Sequence, residues 1–177
     1  MINFLANKPI SQIMPVEKFQ NKYRIGTKRA SWHDYNGGEY FITICTKDRN
    51  HYFGEIVDGE MQLSAVGKYT DECVQKISEH NPYAQIPQYV IMPDHIHLIV
   101  NLEGKSEFDT DRQGCLSLRE VVKYLKSYTT REYRKRTGDK KSVLWQQRYN
   151  DHIIRNDEDY NEKWQYIDNN PLKYILL

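Results

Sequence analysis

Long apolar runs are missing from this sequence. None reaches the roughly 18 residues that cross a bilayer, and the opening MINFLANKPISQIMPVEK lacks the basic-then-apolar layout of a secretory signal. Cysteine is scarce as well. Cys45, Cys73 and Cys115 are odd in number, far apart and without CxxC or Cys–His spacing. Neither a disulfide framework nor a zinc ribbon fits that pattern, and the chain is expected in a reducing cytoplasm with no membrane contact. Excess charge of one sign is also absent: 25 Lys and Arg meet 24 Asp and Glu, so no global field announces a polyanion partner. What the chain has in quantity is tyrosine, 14 residues of it. Any single tyrosine therefore needs positional evidence before it is given a chemical role.

With 177 residues the chain can bury one sizeable core. Residues 1–35 have scattered apolar positions, Pro9, Pro15 and a basic run at Lys22, Arg24, Lys28 and Arg29. They read as an N-terminal extension, either a solvated arm or a segment that wraps the domain or touches a polyanion, with residues 36–177 as a single domain. Glu39 to Thr46, β-branched and aromatic, is the first expected strand. Asp58-Gly59 marks a tight hairpin within 51–64. Ser64 caps a helix expected to run to His80, with Val66, Tyr69, Cys73, Val74 and Ile77 at helical spacing. Strands follow at 88–92 and 95–102, then a polar loop over 103–114. Ser117 opens a helix to Arg136, stopped by Gly138. Residues 143–155 read as an irregular or short-strand connection. A last helix, 157–170, has Asn156 or Asp157 as cap, Pro171 beyond its end, and Tyr160, Trp164 and Ile167 as its packed face. Strand, helix, strand, strand, helix is the split βαβ order of a ferredoxin-like α+β sandwich: an antiparallel sheet with helices on one face and the other open to substrate.

The informative stretch is QYVIMPDHIHLIVN, residues 88–101. On a strand, His95 and His97 share a face while Ile96 points away. An imidazole pair inside the most apolar part of the chain is costly unless it has work to do, and histidine is the commonest metal ligand. Two satisfied surface histidines would give the same three letters. A metal would in any case need a third protein group and open positions. Tyr166 and Asn170, four apart on the last helix, share a helical face. That helix, laid on the open sheet face, could bring the Asn170 amide to a metal and the Tyr166 hydroxyl beside it. A core tyrosine and a helix-capping asparagine explain the same pair.

MPDHIHLIV, then LWQQRYNDHIIR and WQYIDNNPLKY, taken in that order, resemble the single-tyrosine HUH transposases in their REP-associated tyrosine transposase branch. The resemblance runs from about Tyr40 to Tyr174. It implies an HUH endonuclease fold for the 36–177 catalytic domain, with the nucleophile on a C-terminal helix. It also implies that His95 and His97 bind a divalent metal, Mg2+ or Mn2+, assisted by Asn170, and that Tyr166 attacks DNA to leave a 5′-phosphotyrosine and a free 3′-hydroxyl. The expected substrate is single-stranded DNA at hairpin or palindromic repeat sites. Monomer and homodimer, and hence an active site in cis or in trans, both remain open.

Between Lys123 and Lys141 the basic residues far outnumber the acidic ones. Lys123, Lys126, Arg131 and Arg134 on the second long helix are expected to track a DNA backbone, or else to form an ordinary solvated face. Arg148, His152 and Arg155 in the middle motif are assigned to DNA contact or packing. Two rival functions differ in chemistry. A domesticated hairpin-binding protein would not transpose, and a metallo-phosphoesterase using only His95 and His97 would leave free 5′-phosphates and no covalent intermediate.

Overall fold

The computed structural model describes residues 33, 35, 37–103 and 117–170, together with two short strands at 18–19 and 22–23. The expected loop over 103–114 (beyond residue 103), Cys115, the Pro171 stop, Tyr174 and most of the N-terminal extension lie outside the described residues. The chain divides into two compact units, 1–31 and 32–177. In the first, β1 (Lys18–Phe19) pairs antiparallel with β2 (Lys22–Tyr23).

In the second unit, β3 (Gly38–Cys45) leads through a 3-10 turn, Lys47–Arg49, to a hairpin of β4 (Gly54–Val57) and β5 (Glu60–Leu63). Asp58 and Gly59 both take positive φ, 52° and 86°, as a two-residue turn matched to strand twist requires. Ser64 caps α1 (Ala65–Gln75) through the Gly67 amide. The expected single helix is interrupted at Lys76 (φ −90°, ψ 2°), and one further turn, α2 (Ile77–His80), follows. β6 (Ala84–Met92) begins four residues before its expected start and β7 (His95–Leu102) falls as expected. α3 (Leu118–Thr137) ends at Gly138 in the left-handed conformation, φ 69°. β8 (Asn150–Ile154) and α4 (Asp157–Asp168) complete the domain, with the Asn156 side chain accepting from the Asp159 amide as N-cap.

The main sheet has the order β6-β7-β3-β8, every pair antiparallel. Numbering its strands along the chain gives 2-3-1-4, which is the split βαβ sandwich. Strand alternation divides the side chains between two layers. Tyr40, Ile42 and Ile44 of β3 and Ile96, Leu98, Val100 and Leu102 of β7 point into the main core with α1 and α3, which supply Cys73, Val74, Leu118, Val121, Val122 and Leu125. On the opposite face Ile99 packs with Ile154 and Ile167, flanked by Phe41, Val90, Tyr160 and Trp164. That second cluster seats α4 on the face carrying His95 and His97.

Candidate active site

The sheet register sets out the floor of the site. Cys45 lies opposite His95, Thr43 opposite His97 and Phe41 opposite Ile99 across the β3–β7 pair. His95 and His97 are 7% and 5% exposed and their ring centroids are 4.6 Å apart. Each ring is held by one nitrogen. His95 Nδ1 is 2.6 Å from Asp94 Oδ1, and His97 Nδ1 is 2.8 Å from Thr43 Oγ1. A carboxylate only accepts, so His95 donates from Nδ1 and its Nε2 carries the lone pair. His97 Nε2 is buried with no hydrogen-bond partner. A buried nitrogen without a partner is costly, and an orienting partner on the far nitrogen is the usual arrangement for a metal-binding histidine.

Burial holds both imidazoles in the neutral form that ligates. For His95 it lowers the pKa against the opposing pull of Asp94. His97 is lowered to about 3, chiefly by burial and secondarily by the neighbouring His95 and Arg49 charges. Among the described residues no three of His, Cys, Asp and Glu gather where they could hold one ion. A third protein ligand would have to be of another type, such as the Asn170 amide. The donor set of two oriented imidazoles, one with a bare buried nitrogen, fits a divalent cation with positions left for substrate oxygens.

α4 brings the tyrosine. Tyr166 stands edge-on to His97 at 5.2 Å and to Phe41 at 5.7 Å, while Phe41 stacks on His97 at 5.2 Å. Tyr166 is 39% exposed, while Tyr160, Trp164 and Ile167 form the packed side of the helix. α4 ends at Asp168 with Asn169 as C-cap, two residues earlier than expected, and Asn170 follows the cap, 6% exposed. The helix is fixed along its length. His152 of β8 holds Asp159 at 2.8 Å near its start, Ile167 is buried against Ile99 and Ile154, and Gln88 of β6 donates to Asp168 at its end.

The remaining expected DNA contacts scatter. Lys126 is drawn inward, its ammonium donating to the carbonyls of Gln146, Gln147 and Arg148 at 2.8, 3.3 and 3.4 Å, and burial lowers its pKa to about 8. Lys123 pairs with Glu120, Arg131 lies over the Tyr128 ring, and Arg134 donates to the Ser142 carbonyl. Lys126, Arg131 and Arg134, with Ser127 and Thr130, line an open groove of about 470 Å³ along α3. Arg148 and Arg155 are exposed, and His152 serves the α4 anchor. Thr43, Phe41 and Asp94 escaped sequence reasoning. The signal for the first two is the alternation of EYFITICT, which puts Phe41, Thr43 and Cys45 on one face, and for Asp94 it is adjacency to the histidine pair.

The sequence matches the Transposase IS200 like family over residues 34–170. An uncharacterized protein of Haemophilus influenzae is 32% identical over 147 residues, covering 76% of this chain and 81% of its own. The REP-associated tyrosine transposase of Escherichia coli K12 is 27% identical over 139 residues, covering 78% and 68%. A REP-associated tyrosine transposase solved bound to a REP hairpin superposes with TM-score 0.58 at 22% identity, over 82% of this chain and 74% of that one, a likeness of fold.

Proposed function

The chain belongs to the IS200-like transposases, and on that footing we propose that it cleaves and rejoins single-stranded DNA at hairpin or palindromic repeat sites through a 5′-phosphotyrosine on Tyr166. The observation that carries the reading is the placement of Tyr166, from a helix some 70 residues downstream, edge-on to His97 at 5.2 Å while His97 Nε2 is buried and bare.

His95, His97 and Asn170 would hold Mg2+ or Mn2+, which when bound supplies positive charge to the non-bridging oxygens of the scissile phosphate. The chain's own residues do the rest. Thr43 and Asp94 fix the two rings so that their Nε2 atoms stay available. Phe41 and His97 form a wall against which the Tyr166 ring packs edge-on. The tyrosine oxygen attacks phosphorus, the new O–P bond forms as the bond to the 3′-oxygen breaks, the phenol loses its proton and the departing oxygen gains one. One phosphate ester replaces another, so the site can run in reverse and join strands.

The test is cleavage of end-labelled hairpin DNA with Mg2+ or Mn2+. Wild type is expected to give covalent protein–DNA adducts. Tyr166→Phe should give none while still binding DNA, and His95→Ala or His97→Ala should lose cleavage together with Mn2+ binding. Free 5′-phosphates without adducts would indicate a hydrolase, and binding without any cleavage would indicate a domesticated hairpin-binding protein.

A further inference from the structure

Arg49 is a charged group at this site for which the mechanism above has no use. It ends the 3-10 turn that follows β3, where Asp48 and Arg49 adopt successive left-handed conformations, φ 55° and 58°. Neither is glycine, so the turn is strained, and such strain persists where neighbouring structure over-determines it. Here Thr46 does so: its amide and hydroxyl both donate to the Asp94 carbonyl, and the hydroxyl also reaches the Asn50 carbonyl. The turn is thereby tied to the Pro93-Asp94 joint immediately before the histidine strand.

The guanidinium bridges two residues adjacent to His95. Its Nε forms an ion pair with Asp94 Oδ2 at 2.7 Å, the carboxylate whose other oxygen holds His95, and Nη1 donates to Cys45 Sγ at 2.9 Å. Cys45 lies opposite His95 in the sheet register, so the cation rests on the same face as the histidine pair. Yet the side chain is 51% exposed. Besides the Cys45 hydrogen bond and the Asp94 ion pair, the five-donor guanidinium has no further protein partner among the described residues.

A half-exposed cation beside two metal-binding imidazoles opposes cation binding unless an anion shares the site. We infer that Arg49 is a catalytic residue that donates to a non-bridging oxygen of the scissile phosphate, with Asp94 locking its guanidinium in place. A phosphodiester supplies that anion, and its charge rises as the tyrosine oxygen attacks, so a preorganised fork gains strength in the transition state. The inference rests on the phosphoryl-transfer reading above and adds a residue to it.

The test uses the full chain and two readouts. Binding of a short single-stranded oligonucleotide is followed against salt for wild type, Arg49→Gln and Arg49→Lys. Loss of one phosphate contact should lower the slope of log affinity on log salt by about 0.7 in Arg49→Gln, with Arg49→Lys close to wild type. With hairpin DNA at saturating Mn2+, Arg49→Gln should form adducts roughly 100- to 1000-fold more slowly. Arg49→Lys, which keeps the charge without the fork, should recover only part of that loss. Mn2+ affinity of the DNA-free protein should escape the roughly 10- to 100-fold loss that follows removal of a ligand's orienting partner.

An unchanged salt slope in Arg49→Gln would overturn the inference. So would a weakened Mn2+ affinity with a full adduct rate at saturating metal, since Arg49 would then act only through His95. If Tyr166→Phe still formed adducts, the nucleophile assignment would fall, and the salt slope would judge Arg49 independently.

Discussion

His97 is held through Nδ1 by Thr43 and stacked by Phe41, and burial drives its pKa to about 3. The consequence for stability has a definite sign. An unfolded histidine titrates near 6.5, so between pH 6.5 and about 3 the unfolded chain carries a proton at this position that the folded, metal-free chain refuses. Stability from this group is intact above 6.5 and is lost as pH falls towards the folded value. Urea melts of metal-free protein at pH 7, 6, 5 and 4 should show wild type losing stability more steeply than His97→Gln, by up to about 1.4 kcal/mol per pH unit. Parallel pH profiles would mean that the ring is protonated, or hydrated, in the folded state.

Among the elements, α4 decides whether the site exists. Its seat is small: Ile167 with Ile99 and Ile154, the His152–Asp159 pair near the start and Gln88 at the end. Ile167→Ala should remove about 2–5 kcal/mol of packing. Because the loss falls on the helix that carries Tyr166 and leads to Asn170, adduct formation should drop by more than Mn2+ affinity, to which the β3–β7 floor still contributes His95 and His97. Equal loss of both in Mn2+ titration and adduct assays would place Ile167 in the common core instead. Much of this helix was legible from sequence: Tyr160, Trp164 and Ile167 do form its packed face, because a single apolar stripe on a polar helix has one place to go. β6 was read short because Pro87 and the bulge between Gln85 and Gln88 break the strand pattern, which an edge strand tolerates. β8 was unclear for a different reason: NDHII carries two polar residues at its start, and its partner β3 lies more than 100 residues away, so pairing rather than propensity makes it a strand. The inward turn of Lys126 was equally hidden, since the carbonyls that capture it belong to the distant segment 146–148.

For the molecule as a whole, the sheet order 2-3-1-4 separates two tasks between two faces. The α1–α3 face holds the large core, while the α4 face holds two buried histidines, a tyrosine and a strained arginine turn. The His-Ile-His triplet and the downstream tyrosine were visible in the sequence, but their meeting depends on α4 packing opposite α1 and α3. The Thr43 support of His97 followed only once β3 was registered against β7, whereas Asp94 holds His95 from the adjacent position. The family is a transposase family, and the covalent strand transfer proposed for this chain is a reaction that a hydrolase sharing the same histidines would not perform. The most direct measurement is mass spectrometry of the protease-digested protein–DNA adduct formed with hairpin DNA and Mn2+. The account predicts one modified peptide, joined through Tyr166 to the 5′-phosphate of the cleaved strand, with the released strand ending in a 3′-hydroxyl. A DNA-linked peptide lacking Tyr166, or cleaved DNA with no protein attached, would contradict it.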